Sequence, residues 1–154
     1  MRRVKLLFFI LCLSVPLFVF AEQKVSVKEV IDGDTIVTEG GETIRYIGID
    51  CPEEGYYQDG KFIAEPQPFF EEALEANREM VEGKTVSLEF DTVKKDEFGR
   101  TLAYVYIDGK MVNAEMIKKG YARADISYPN TSYKKEFLQL EADAQSKEVG
   151  IWSR

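Results

Sequence analysis

The sequence predicts a mixed β+α domain: a five-stranded Greek-key β-barrel of the OB type with three α-helices. Short runs rich in β-branched and aromatic residues alternate apolar with polar side chains, as half-buried strands do. Two glycines at positions 40–41 separate two of these runs, which indicates a hairpin. The predicted order is β-β-β-α-β-β-α-α, and five short strands with a helix after the third are typical of a small Greek-key barrel.

Each element is predicted from its own local pattern. Alternation predicts strands, apolar residues at a spacing of three and four predict helices, and Gly, Pro and Asn mark their ends. The predicted strands cover residues 24–31, 36–39, 42–47, 85–90 and 102–107, and the predicted helices cover residues 69–82, 113–119 and 132–148. Asn113 is predicted to cap the second helix, residues 54–67 to form a polar loop, and residues 150–152 to fold the tail back onto the core.

The hairpin around positions 40–41 is expected to have a two-residue type I′ turn, because that turn needs positive φ at both central residues. Counting outward from such a turn pairs Ile36 with Arg45 and Asp34 with Ile47. Asp34 and Arg45 would then be diagonal neighbours on one face, within reach of each other's side chains.

Three carboxylates are expected to meet near the end of this hairpin. Asp50 lies three residues beyond Ile47, and Pro52 restricts the backbone between Asp50 and Glu53, so both can face Asp34. Carboxylate oxygens select a hard cation such as Ca²⁺ or Mg²⁺, although the spacing is not that of an EF-hand loop. Taken singly, each acidic stretch is an ordinary turn; joined by the hairpin, the two stretches favour a functional site.

Two arginines add positive charge to this region. Arg45 lies inside a predicted strand, where a buried charge needs a carboxylate partner or a ligand. Arg100 follows Asp96-Glu97-Phe98-Gly99 at the start of the fifth strand. Two structural ion pairs are one explanation; the other is a bidentate grip on a phosphate by two planar guanidinium groups.

Composition excludes several functional classes. The chain has no histidine, which rules out Ser-His-Asp triads, histidine general bases and histidine-ligated zinc. Its formal net charge of −7 argues against a broad basic platform for nucleic acid, so any phosphate binding must be local.

The first 21 residues resemble a secretory signal peptide, with a basic start, an apolar stretch and small residues before a cleavage point after Ala21. The alternative is an uncleaved membrane anchor. We expect a domain over residues 22–154 that is secreted or held in the periplasm or cell envelope. It would keep one cysteine, Cys51, and no internal disulfide.

Six short motifs follow one another along the chain. They are Asp32-Gly33-Asp34-Thr35, residues 44–53, residues 95–100, residues 102–106, residues 108–113 and Gly150-Ile151-Trp152. Together they resemble the thermonuclease (staphylococcal nuclease-like) family over residues 25–152. The resemblance implies an OB-fold phosphodiesterase that uses Ca²⁺ to cleave DNA and RNA.

The resemblance also implies roles for individual residues. Asp34 and Asp50 would be metal ligands, with the main-chain carbonyl of Cys51, which stands where the best-known member has Thr. The implied catalytic residues are Arg45, Glu53 and Arg100. The chemistry is consistent with these roles, since Glu53 could accept a proton from water and the arginines could grip phosphate oxygens.

Two aromatic residues are candidate substrate contacts. Glu97 and Phe98 stand where basic and tyrosine residues often precede the Gly-Arg pair of the family, and Phe98 can stack on a base but has no hydroxyl for a phosphate. Tyr128 is the second candidate, with packing in the core as the alternative.

The favoured interpretation is a secreted Ca²⁺-dependent endonuclease. We expect single-stranded or frayed DNA and RNA as substrates, a monomer, and no stable protein partner. Two other interpretations stay open: a non-catalytic OB module that binds nucleic acid or a peptide, and a calcium-stabilised structural domain of the cell envelope.

Overall fold

A computed structural model describes residues 23–127, 129–130 and 132–153. The predicted signal peptide and Tyr128 lie outside these residues. Within the described ranges the secondary structure, in chain order, is β1 (Gln23–Val30), β2 (Thr35–Thr38), β3 (Thr43–Tyr46), β4 (Ile49–Asp50), β5 (Gly55–Gln58), β6 (Lys61–Ala64), α1 (Phe70–Val81), β7 (Thr85–Glu89), β8 (Thr101–Ile107), β9 (Lys110–Met111), α2 (Val112–Lys118), β10 (Arg123–Ala124), α3 (Lys134–Ser146) and a 3₁₀-helix (Gly150–Trp152).

Five strands close into the predicted barrel. Their order is β3-β2-β1-β7-β8, and a parallel pairing of β3 with β8 joins the two ends. β1 pairs with two strands: its residues 23–26 pair with β7, and its residues 27–30 pair with β2. A register shift between Val27 and Glu29 marks the change of partner, as bulges do where a strand bends around a barrel.

The core fills the barrel and the space beneath the helices. Every residue from Thr101 to Val105 of β8 is buried, and this strand pairs with β3 as well as with β7. α1 turns an apolar stripe toward the barrel, whereas α3 buries only Phe137 and Ala144. The C-terminal tail folds back as predicted, and the Ile151 N–H donates to the Gly120 carbonyl at 2.8 Å. Among the described residues, no helix is both long enough and apolar enough to span a bilayer.

The predicted register of the β2–β3 hairpin is wrong by one residue. Thr35 pairs with Arg45 and Ile36 with Ile44, in place of the expected pairs of Ile36 with Arg45 and Asp34 with Ile47. The connection has three residues, not two, because the Gly41 N–H donates to the Thr38 carbonyl and the Thr38 N–H to the Glu42 carbonyl. Gly41 has φ +79°, the left-handed conformation that ends a three-residue hairpin loop.

Two further expectations are wrong. Residues 54–67 do not form a plain loop, since β5 and β6 pair as an antiparallel hairpin. Asn113 does not cap α2, which begins at Val112 with Met111 as its N-cap. Asn113 is instead fully buried, accepting the Val105 N–H and donating to the Ile47 carbonyl, each at 2.9 Å.

Candidate active site

Two acidic turns pack directly against each other. Gly33 lies in the bend after β1, and Cys51 follows β4. A Cβ atom on Gly33 would lie 2.6 Å from the Cys51 Cβ and 2.7 Å from its Sγ, so a larger residue would push the turns apart. Cys51 is a buried free thiol that fills this contact, as a small apolar side chain does. The contact brings the neighbours Asp34 and Asp50 together.

Asp34 is fully buried and its carboxylate is fixed by local hydrogen bonds. Its Oδ2 accepts the Cys51 N–H at 2.8 Å, and its Oδ1 accepts the Thr35 hydroxyl at 3.2 Å. Its own N–H donates to Asp32 Oδ1 at 2.9 Å. The Asp34 side chain is therefore locked in one orientation within the fold.

Arg45 is the centre of the site. Its guanidinium contacts the Asp34 carboxylate, lies 3.0 Å from Asp50 Oδ1 through Nη2, and lies 3.7 Å from Glu53 Oε1 through Nη1. Burial lowers the pKa of Arg45, but these carboxylates outweigh burial and raise that pKa above its usual range. The expected convergence of three carboxylates and one guanidinium is therefore present.

Asp34 and Arg45 meet although the register expected to bring them together is wrong. The Asp34 carbonyl accepts the Tyr46 N–H, so strict alternation would place the Asp34 and Arg45 side chains on opposite faces. Asp34 lies in the bend before β2, where strand alternation does not fix the direction of a side chain.

Glu53 is half-buried, and its main chain is held on both sides. Its N–H donates to the Gln67 side-chain carbonyl at 3.3 Å, and its carbonyl accepts the Gln67 N–H at 2.9 Å. Burial raises the pKa of Glu53, the nearby Asp32 adds to the rise, and Arg45 and Arg100 oppose it. A cavity of about 380 Å³ is lined in part by Asp50, Pro52 and Gln67, and neither Glu53 nor Arg45 lines it.

Arg100 comes from the neighbouring strand of the barrel. Thr101 pairs with Ile44 in the parallel β3–β8 ladder, which places Arg100 next to the strand that carries Arg45. Its Nε donates to Asp96 Oδ2 at 2.6 Å, and its N–H donates to Asp96 Oδ1 at 2.9 Å. Asp96 thus orients the Arg100 guanidinium.

The two aromatic candidates differ in what the structure describes. Phe98 is exposed, and the Arg100 guanidinium lies 5.4 Å from the centroid of its ring. Its role in stacking on a base stays a prediction. Tyr128 lies outside the described residues, so its role also stays a prediction.

Sequence reasoning missed three residues that shape the site. Asp32 contributes charge to Arg45 and Glu53, Asp96 holds Arg100, and Gln67 holds the main chain of Glu53. The two aspartates had a local signal, since each accepts the N–H two residues onward, the pattern of an Asx turn. No local sequence pattern indicates the role of Gln67, because it contacts Glu53, which lies fourteen residues earlier in the chain.

The candidate metal ligands have the chemistry that a hard divalent cation prefers. Asp34 and Asp50 both contact the Arg45 guanidinium, so their carboxylates lie close together. Donors of this kind are all oxygen, which suits Ca²⁺. In the part of the chain that the structure describes, no group of three or more His, Cys, Asp or Glu side chains is arranged to hold a metal. The side chains brought together here that could contribute to such a site are the carboxylates of Asp34 and Asp50.

The sequence matches known proteins over most of its length. The model of the family described as staphylococcal nuclease homologues matches residues 43–154. The chain is 42% identical over 135 residues to the SPbeta prophage-derived endonuclease YokF of Bacillus subtilis, covering 84% of this chain and 44% of that protein. It is 41% identical over 135 residues to endonuclease YncB of the same organism, covering 84% of this chain and 62% of that protein.

A third relative is covered more fully. The chain is 38% identical over 131 residues to the thermonuclease of Staphylococcus intermedius, covering 83% of this chain and 75% of that enzyme. It spans less than two thirds of the two Bacillus subtilis endonucleases, so these alone do not define the whole protein. The family match and the similarity to a thermonuclease agree with the five-stranded barrel, and the chain belongs to the staphylococcal nuclease family.

Proposed function

We propose that this protein is a secreted Ca²⁺-dependent endonuclease that hydrolyses phosphodiester bonds of single-stranded or frayed DNA and RNA. The observation that carries the proposal is the grouping of the Arg45 guanidinium with the carboxylates of Asp34, Asp50 and Glu53. The names of the relatives, endonuclease and thermonuclease, support a nucleic-acid substrate.

Arg45 is suited to bind the scissile phosphate. A guanidinium has five N–H donors in a planar fork, which matches two oxygens of a phosphate. Its 3.7 Å separation from Glu53 is longer than a hydrogen bond, so the Glu53 carboxylate is not committed to it.

Glu53 is suited to be the general base. Its main chain is fixed by Gln67 while its carboxylate stays partly open to solvent, so it can accept a proton from a water molecule at a defined place. The chain has no histidine for this role.

Arg100 would contribute the second positive charge. Oriented by Asp96, it can stabilise negative charge that develops on the phosphorane oxygens and on the leaving alkoxide. Asp34, Asp50 and the Cys51 carbonyl would hold Ca²⁺, which when bound supplies charge neutralisation and a water of lowered pKa.

Removal of calcium tests this proposal. We expect cleavage of single-stranded DNA to fall at least about 100-fold when EGTA replaces Ca²⁺, because metal assistance is worth several kcal/mol. The measurement is product formation on a denaturing gel, with Ca²⁺ added back as the control for irreversible loss. Equal cleavage in EGTA would contradict the metal requirement. Binding without cleavage would support a non-catalytic module, and thermal stabilisation alone a structural role.

Export is a further part of the proposal. The basic start, the apolar stretch and the small residues at the −3 and −1 positions of a cleavage point after Ala21 support a cleaved signal peptide and a secreted, periplasmic or envelope location. In an expressing cell we expect the exported protein to begin at Glu22, as measured by intact mass after fractionation. A full-length chain in the membrane fraction would indicate an anchor instead.

A further inference from the structure

The β5–β6 hairpin carries a pair of aromatic rings exposed to solvent. Tyr57 pairs with Phe62 across the two strands, so both side chains project from the same face. Tyr57 is 77% exposed and Phe62 47% exposed, and their ring centroids lie 5.3 Å apart. None of the residues in β5 and β6 is buried, so this aromatic platform (Tyr57 and Phe62) is not part of the core.

The hairpin leaves room for the Phe62 ring over Gly55. Gly55 pairs with Ala64 on the same face as the platform. A Cβ atom on Gly55 would lie 2.9 Å from the tip of the Phe62 ring and 2.1 Å from the Ile63 carbonyl oxygen. A glycine is therefore required there, and it lets the Phe62 ring rest on the backbone while part of the ring stays exposed.

The hairpin is joined directly to the proposed active site. The chain leaves for the hairpin immediately after Glu53 and returns to Gln67, and these two residues close its base with two hydrogen bonds. The cavity beside Asp50 includes Pro52, Gln67 and Pro68 in its wall. Glu53, the proposed general base, thus lies at the base of the hairpin.

Charge indicates what the aromatic platform would contact. The chain has a net charge of −7, and the hairpin carries Asp59 and Lys61 with Glu54 and Glu65 nearby. These acidic residues do not attract phosphates, so a substrate strand that reached the platform would contact it through the faces of its bases. Stacking of unpaired bases on aromatic side chains tolerates any sequence and does not depend on basic residues.

We propose that Tyr57 and Phe62 form a stacking site for unpaired bases of the substrate strand next to the bond that is cut. The inference rests on the proposed nuclease function and adds a second contact region to it. The molecule that we expect Tyr57 and Phe62 to bind is single-stranded nucleic acid. It also supplies a physical reason for a preference for single-stranded over paired substrate, because bases inside a duplex cannot stack on the platform.

The test measures binding of a fluorescent oligothymidylate of about twelve nucleotides by anisotropy, in EGTA so that it is not cut. Tyr57→Ala and Phe62→Ala are each expected to raise Kd at least about fivefold, the lower limit for loss of one stacked base. Tyr57→Phe, which keeps the ring, is expected to stay within about twofold. The matched control is Tyr56→Ala, since Tyr56 is 48% exposed in the same strand but projects from the opposite face.

Two further binding measurements distinguish base stacking from electrostatic contacts with phosphates. An abasic oligonucleotide of the same length is expected to bind wild type and the alanine variants equally. The fold-change is also expected to persist when salt rises from about 50 to 200 mM, because screening acts on phosphate contacts. Unchanged Kd values, or equal losses on the abasic strand, would overturn the stacking site.

Binding of a second copy of this chain at Tyr57 and Phe62 would give a different experimental result. Self-association of wild type that is lost in Tyr57→Ala, measured by sedimentation with Kd for the oligonucleotide unchanged, would assign the platform to a second copy of this chain and overturn the inference. Failure of wild type to cut any nucleic acid with Ca²⁺ would overturn the nuclease proposal. Intact cleavage with unchanged Kd values in Tyr57→Ala and Phe62→Ala would overturn the stacking site alone.

Discussion

Glu53→Gln is expected to lower kcat for DNA cleavage by about 10²- to 10⁴-fold, the usual contribution of a positioned general base. The substitution keeps the shape of the side chain and removes its ability to accept a proton. Because Glu53 is half-buried and 3.7 Å from Arg45, the free energy of unfolding should change by only about 0.5 kcal/mol. The measurement is the initial rate of cleavage at saturating Ca²⁺ and substrate, with a urea titration for stability.

Glu54→Gln is the matched control, because it makes the same chemical change at the next residue, which is exposed. It should retain the wild-type rate.

Arg100→Lys keeps the positive charge but loses the planar fork, and is expected to lower the rate of DNA cleavage as well. Near-full activity in Glu53→Gln or in Arg100→Lys would discard the assigned role of that residue.

Asn113→Ala is expected to lower the free energy of unfolding by about 2 to 6 kcal/mol. Asn113 is fully buried and joins β8 to the turn after β3, accepting from the Val105 N–H and donating to the Ile47 carbonyl. Alanine would leave both main-chain groups buried without a partner, at about 1 to 3 kcal/mol each. The loss is large compared with the total stability of a small domain.

Urea unfolding monitored by circular dichroism measures this effect, with Gln139→Ala on the exposed face of α3 as a control within about 0.5 kcal/mol of wild type. Asn113→Asp is informative because it keeps the acceptor but removes the donor and introduces a buried charge, so it should also destabilise. A loss below 1 kcal/mol in Asn113→Ala would mean that water or a shifted backbone satisfies Val105 and Ile47.

The barrel could be predicted because its signals are local. Alternation within each strand and helical spacing in residues 69–82 are properties of short segments, and the structure has strands and helices there within a few residues. The order of these elements then left few topologies for a small barrel. Parallel closure between β3 and β8, and the bulge in β1 that allows it, depend on segments distant in sequence.

The predicted length of the β2–β3 hairpin loop is wrong for a specific reason. Two adjacent glycines suit a two-residue turn, but the Thr38 side chain accepts the Glu42 N–H and favours a three-residue loop with only Gly41 in the left-handed region. The hairpin at residues 55–64 was missed because it has no buried face and therefore no apolar alternation to detect.

By itself the sequence determined the barrel with its three helices, the family, and the set of charged residues, Asp34, Arg45, Asp50 and Glu53, that gather in the candidate site. Only the tertiary structure decided how they gather. Gly33 packs on Cys51, Asp96 orients Arg100, and Gln67 fixes the main chain of Glu53. The physical reason is the separation of the interacting residues along the sequence. Periodicity and turn preferences act over a few residues, whereas close packing and hydrogen bonds between turns form only when the whole chain is folded.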